Sequence, residues 1–229
     1  MADAIRVTGL KKRYGNLTVL NGIDFTVRQG EIFALLGGNG AGKTTALECI
    51  EGLRSCDGGE IAVNGKIGIQ LQSASLQAYI RPLEAVNLFS GWNKTKPDAA
   101  MLKSLGIYEL SKKKYAELST GQKRRLHLAL ALIGNPDIVV LDEPTAGLDV
   151  EARRALHEQI RALKAQGRTI LLASHDMAEV ETLCDRIAIL REGKIAFLGT
   201  IGELTAAVGR HYTVHITTPC GRQSFETDH

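Results

Sequence analysis

Ile32-Phe33-Ala34-Leu35-Leu36-Gly37-Gly38-Asn39-Gly40-Ala41-Gly42-Lys43-Thr44-Thr45 decides the fold. Five apolar residues in a row read as a strand buried on both faces, because a half-exposed strand would alternate. Gly37 to Thr44 then match G-x-x-x-x-G-K-[ST], a loop whose glycines let successive backbone N–H groups turn toward phosphate oxygens. A helix should run from Lys43 to about Cys49 and add the positive end of its dipole to the same cradle. Lys43 then supplies a point charge for the outer phosphates, and the Thr44 hydroxyl is placed to ligate Mg²⁺. Gly37, Gly38, Asn39, Gly40, Ala41, Gly42, Lys43, Thr44 and Thr45 are the expected nucleotide-binding residues. Kinases, GTPases and transport ATPases all use such a loop, so the choice among them falls to other residues.

Ile138-Val139-Val140-Leu141-Asp142-Glu143 sets two carboxylates at the mouth of a second buried strand, where α/β sheets bind ligands. Asp142 is expected to hold Mg²⁺, directly or through an intervening ligand, and Glu143 to polarise the attacking water. Val150 to Ala165 has helical periodicity closed by Gly167, and Ile170 to Ala173 is a third buried strand. This strand-helix alternation argues a mostly parallel sheet.

Around this core, Ile5 to Val7 and Val19 to Val27 read as short antiparallel strands flanking Tyr14-Gly15-Asn16. Between about Gln72 and Leu118 the chain reads as a small helical insertion, with Pro82 and Pro97 each where a helix could start. Ile187 to Leu190 and Lys194 to Leu198 suggest a closing hairpin about Arg191-Glu192-Gly193. From about Arg210, Tyr212, Val214 and Ile216 alternate, as one further strand or the start of a truncated extension. The fold class is therefore α/β: a P-loop NTPase core with a mostly parallel sheet and an N-terminal antiparallel β subdomain. The ATPase domain is expected over 1–209, its helical subdomain over about 73–135, and a tail over 210–229.

A formal charge of +3 from 28 basic and 25 acidic residues is too balanced for a nucleic-acid footprint. Cys49, Cys56, Cys184 and Cys220 lie at irregular spacings without a Cys-x-x-Cys pair, so buried thiols are expected rather than zinc or disulfides. No apolar stretch reaches the ~18 residues that span a bilayer, and Met1 to Leu10 lacks a signal peptide's apolar region. Any membrane role must come through a partner.

Leu118-Ser119-Thr120-Gly121-Gln122, shortly before the acidic pair, resembles the LSGGQ signature of the nucleotide-binding subunits of ATP-binding cassette (ABC) transporters. The resemblance runs from about Ile5 to Leu204. It implies two ATP molecules closed between two subunits, in a homodimer or a pseudo-dimer with a second ATPase subunit. Ser119, Gly121 and Gln122 of one copy would then cover the γ-phosphate held by the other. Residue by residue it implies that Tyr14 stacks on adenine, with Val19 among the same nucleotide contacts. Gln72, with Gln70 a rival, would be the glutamine that senses Mg²⁺ and the attacking water. Asp149 in Ala146-Gly147-Leu148-Asp149 would bridge the dimer, and His175 would meet the γ-phosphate. Gly38 in place of a common proline and Thr120 in place of the first signature glycine depart from the family pattern without removing a charged group.

The expected activity is hydrolysis of Mg-ATP, with Glu143, His175, Lys43 and Gln72 as its catalytic residues. It would power a transmembrane permease subunit from the cytoplasmic face of the membrane. The sequence around Leu76, Tyr79 and Leu88, candidates for a docking groove, is similar to two-component drug or antibiotic exporters. The alternative is a non-transport ABC ATPase acting on ribosomes or nucleic acid, although such relatives usually carry paired cassettes or a coiled-coil insertion.

Overall fold

The computed structural model describes residues 2–70, 76–208, 212–218 and 221–227, with side chains through residue 207. Two strands of 12 residues each, β1 (Asp3–Tyr14) and β2 (Leu17–Arg28), pair antiparallel through a turn at Gly15-Asn16. They are longer than the sequence suggests. Register shifts interrupt their alternation, and Gly9 and Gly22 adopt positive φ of 59° and 73° there. Next come β3 (Ile32–Leu36), α1 (Lys43–Ile50), β4 (Gly58–Val63) and β5 (Ile67–Gln70). β4 was not foreseen; it pairs with β1 to complete a three-stranded sheet ordered β2-β1-β4.

The helical insertion holds α2 (Pro82–Trp92), α3 (Ala99–Ser104) and α4 (Thr120–Ala131), with 3-10 turns at Tyr108–Leu110 and Tyr115–Glu117. Pro82 opens α2, where its missing N–H costs nothing, and Asp98 after Pro97 caps α3. The chain continues through β6 (Ile138–Asp142), α5 (Val150–Ala165), β7 (Thr169–Ser174) and α6 (Met177–Leu183). It then runs through the expected hairpin β8 (Arg186–Arg191) and β9 (Lys194–Gly199), followed by α7 (Ile201–Val208). Beyond it, β10 (Tyr212–Thr218) and β11 (Gly221–Thr227) form a hairpin, one strand more than the tail's alternation indicates.

The main sheet is ordered β5-β6-β7-β3-β8-β9, parallel except for β9. β3 is buried on both faces, as its unbroken apolar run requires. Ile32, Ala34 and Leu36 join a core with residues of α4, α5 and α6, while Phe33 and Leu35 join a second core with α1 and the antiparallel sheet. Each such buried Leu, Ile or Phe contributes roughly 1.5–3 kcal/mol of transfer free energy. Gly68 lets β5 lie close to the end of α4, since a Cβ there would fall on the Ala131 carbonyl.

The cysteine expectation needs one correction: Cys49 is buried, but Cys56 is exposed and Cys184 partly so. Cys56 sits in the polar turn between α1 and β4, where no core packs over it. Cys220 lies outside the described residues. Among the described residues no helix is long and apolar enough to cross a membrane.

Candidate active site

The order β6-β7-β3 lays three carboxyl ends side by side, and each delivers part of one site. β3 leads into the glycine loop, β6 ends at Asp142, and His175 follows β7. Gly42, the N-cap of α1, has φ 104°, and a Cβ there would press on Leu20 and the Val19 carbonyl. A Cβ on Gly37 would sit 2.5 Å from the Leu190 carbonyl oxygen. Glycine is thus required on steric as well as conformational grounds. Asn39 through Thr45, with Leu17, Val19 and Glu143, line a cavity of about 390 Å³.

Lys43 is 6% exposed, and its Nζ donates to the carbonyls of Gly37 at 2.8 Å and Gly38 at 3.2 Å. The same ammonium lies 3.4 Å from Oε1 of Glu143. Oε2 of Glu143 is 2.7 Å from His175 Nδ1, a spacing at which Nδ1–H donates to the carboxylate. Glu143 is a non-glycine residue at φ 49°. Its N–H donates to Ala173 O at 3.0 Å, so β6–β7 pairing continues one residue past the strand and fixes the unusual backbone.

Asp142 is 4% exposed, and its Oδ2 accepts a 2.9 Å hydrogen bond from the Thr44 hydroxyl. Burial raises its pKa, opposed by the Thr44 bond and Lys43 and reinforced by Glu143. Its Oδ1 is buried without a hydrogen-bond partner. A bare carboxylate oxygen beside a hydroxyl is the hard-oxygen donor set that suits Mg²⁺, an ion that keeps most of its shell as water and phosphate.

Tyr14, at the end of β1, pairs across the turn with Leu17, which lines the loop cavity; Tyr14 itself does not. Its ring is 40% exposed and has Arg54 at 5.3 Å and Lys12 at 5.8 Å from the centroid. Ser119 is the N-cap of α4, its Oγ accepting from Gln122 N while its own N–H donates to Gln122 Oε1. Gly121 packs close to Ala152, where an added Cβ would lie 3.1 Å away. These signature residues line a separate cavity of about 290 Å³ that shares no lining residue with the loop cavity. Asp149 caps α5, accepting from Ala152 N at 2.8 Å. Gln72 lies outside the described residues; its rival Gln70 is a buried strand residue whose amide atoms have no hydrogen-bond partner.

Several residues near the site escape sequence reasoning. Leu17 lines the cavity by virtue of the turn alone. Glu51, just past α1, has its pKa pushed up to about 7 by burial and by the carboxylates of Asp142 and Glu48. Arg124 on α4 feels the charges of Asp142 and Glu143. A cation a few residues after a signature serine is the one cue that could have drawn attention to it.

The family model described as "ABC transporter" matches residues 20–146, more than half of the chain. A shorter match, to an AAA domain model, covers residues 112–181. A curated relative, "Nod factor export ATP-binding protein I" of Burkholderia orbicola, is 40% identical over 81% of this chain and 67% of its own length. "Linearmycin resistance ATP-binding protein LnrL" of Bacillus subtilis is 35% identical over 96% of this chain and 77% of its own length. Among solved structures, "Structure of ATP binding subunit of ABC transporter" superposes with TM-score 0.79 at 27% identity, covering 90% of this chain and 93% of that one. A nucleotide-free ATP-binding cassette at 23% identity and TM-score 0.81 shares the fold. With the phosphate loop, the acidic pair and the histidine gathered at one sheet edge, the chain belongs to the ABC transporter family, as an ATP-binding subunit that hydrolyses ATP and works with a membrane permease.

Proposed function

We propose that this subunit powers export of a drug-like or other hydrophobic compound through a separate permease, and that two ATP molecules are closed between two ATPase subunits. The observation that carries the dimer reading is the split of the site. Lys43, Thr44, Asp142, Glu143 and His175 gather at the phosphate loop, whereas Ser119 and Gly121 line a different cavity. A helix N-terminus with a serine hydroxyl and free backbone donors suits the terminal phosphate of a nucleotide held elsewhere. A second copy, or a related ATPase subunit, supplies that nucleotide, and Asp149 would bridge the two.

In the closed pair Glu143 orients the attacking water, and Lys43 and His175 stabilise charge on the transferred phosphoryl group. Thr44 and Asp142 would hold Mg²⁺, with Gln72 completing its surroundings; the ion, when bound, neutralises charge on the phosphate oxygens. Tyr14 and Val19 serve the base end of the nucleotide.

The export reading rests on the names of the relatives. Of the docking candidates, Leu76 packs partly buried against the core, whereas Tyr79 and Leu88 are exposed at 78% and 45%, as is Trp92 at 68%, apolar side chains suited to a permease at the cytoplasmic face of the membrane. Residues 1–209 would form the ATPase unit, with 210–229 apart from it.

Glu143→Gln tests the dimer. It should bind Mg-ATP, stop turnover and elute from gel filtration as a dimer in ATP and a monomer without it. A monomer with ATP bound would overturn the two-subunit closure, and failure of the chain to co-purify with any membrane protein would overturn the permease coupling.

A further inference from the structure

Ser174, the last residue of β7, is fully buried and serves three partners. Its carbonyl accepts from Gly37 N of the phosphate loop at 3.2 Å. Its Oγ accepts from Asp176 N at 3.1 Å and donates to Glu179 Oε2 at 2.5 Å. Glu179 is 2% exposed, and its other oxygen has no hydrogen-bond partner but lies 3.6 Å from Nε2 of the buried His157 on α5. Nothing in the hydrolysis reading uses this carboxylate, and burying one is costly unless it is compensated.

The position of Glu179 on α6 makes the arrangement informative. Asp176 caps the helix by accepting from Ala178 N and Glu179 N, so Asp-x-x-Glu reads as an ordinary cap. Glu179 does not complete that box; it reaches back to Ser174. A serine hydroxyl has one proton, and by taking it Glu179 leaves the Oγ lone pairs for the Asp176 N–H. The two residues that flank His175 are thereby locked to each other.

The same segment is fastened to α5 at successive turns. Arg153 pairs with Asp176 at 2.9 Å, His157 faces Glu179, Arg161 donates to Thr182 O at 3.1 Å, and Lys164 pairs with Asp185 at 2.6 Å. α5 is the helix capped by Asp149.

We infer that Glu179 is a positioning residue for His175, acting through the Ser174 hydroxyl and tying the histidine to the helix that begins at Asp149. The inference rests on the reading of His175 as the residue that meets the γ-phosphate.

Single-turnover ATP hydrolysis by the full chain, alongside ATP affinity, tests it. Glu179→Ala and Ser174→Ala should each slow hydrolysis roughly tenfold to a hundredfold, the scale of a misplacement below 1 Å. ATP affinity should stay within about twofold, and Ser174→Thr, which keeps the hydroxyl, should restore the rate. In a His175→Ala background, Glu179→Ala should cost less than about twofold more, because its effect passes through the missing side chain. If Glu179→Ala fails to fold, Glu179→Met, which keeps the bulk but removes the acceptor, and Ser174→Ala carry the same cycle. A full additional loss in the His175→Ala background, or wild-type rates for both Glu179 and Ser174 variants, would overturn the inference while leaving His175 in place. A wild-type rate for His175→Ala alone would instead overturn the underlying site reading.

Discussion

His175 Nδ1 stands 2.7 Å from Oε2 of Glu143. The other oxygen of that carboxylate lies 3.4 Å from the Lys43 ammonium, so one acidic group spans the ends of β6 and β7 and the head of α1. Lys43 and Glu143 are each 6% exposed, which leaves their attraction little screened by solvent. The left-handed backbone of Glu143, at φ 49°, costs roughly 1–2 kcal/mol. The Lys43 ion pair, the His175 hydrogen bond and a continued sheet hydrogen bond offset that cost and hold the carboxylate in place.

Lys43→Met keeps the bulk of the side chain and removes its charge. Glu143 then retains His175 alone, and the carbonyls of Gly37 and Gly38 lose their donor. Urea unfolding should show a loss of about 1–3 kcal/mol. ATP affinity should fall roughly tenfold or more, the equivalent of one charge-assisted hydrogen bond. Adding Glu143→Gln should recover most of the stability and none of the affinity; unchanged ATP binding in the single variant would refute the phosphate-loop role of Lys43.

Thr44→Val removes a hydroxyl assigned both to the metal and to Asp142. Burial already raises the Asp142 pKa and the Thr44 bond opposes it, so the variant should raise it further. Binding a cation needs the ionised carboxylate, and Mg²⁺-dependent ATP affinity should therefore weaken more steeply as pH falls. Calorimetry should show a loss of roughly tenfold in Mg²⁺ and under about twofold in chelator. Equal losses in both conditions would separate Thr44 from the metal.

Tyr14→Ala should weaken ATP binding by about threefold to tenfold, the scale of an aromatic stacking contact. Inorganic tripolyphosphate has no base to stack and should bind as before. A parallel loss for both ligands would mean that Tyr14 shapes the β1–β2 turn rather than the base site.

The strand-borne part of the site was legible in the sequence because Ile32–Leu36, Ile138–Leu141 and Ile170–Ala173 are buried on both faces, and such strands are unbroken apolar runs. Their chemistry sits where each run stops. β4 was hidden because it is half exposed and opens on Gly58-Gly59. α6 was hidden because seven residues with Val180 and Leu183 inward carry too little period. Glu179 was masked by a local pattern that reads as a helix cap, while its actual partner lies back along the chain in β7. Glu51 gave no signal, because its proximity to Asp142 arises only when α1 packs beside β6.

Glu51→Gln should change how stability depends on pH. The Glu51 carboxyl is partly buried with one oxygen unpartnered, and burial, then Asp142 and Glu48, raise its pKa from 4.5 to about 7. Between these values the folded chain keeps a proton that the unfolded chain has lost, so the unfolding free energy falls as pH rises, and the full penalty is present above 7. His127 works in the opposite sense: burial, with Arg124 and Lys123 beside it, lowers its pKa from 6.5 to about 4. Below 6.5 the unfolded chain protonates first, so this group makes stability rise with pH from about 4 to 6.5. The two slopes oppose each other in the native protein. Glu51→Gln removes one, and the variant should show the His127 rise alone, followed by a plateau. At pH 8 it should exceed the parent by about 1 kcal/mol, allowing for the solvent that still reaches the carboxyl. Near pH 4.5 the two proteins should differ little, since Glu51 is then protonated in the folded chain and still half protonated in the unfolded one. Urea unfolding followed by circular dichroism at pH 4.5, 6 and 8 measures this, and an equal gain at all three would show that the substitution acts through packing instead of charge.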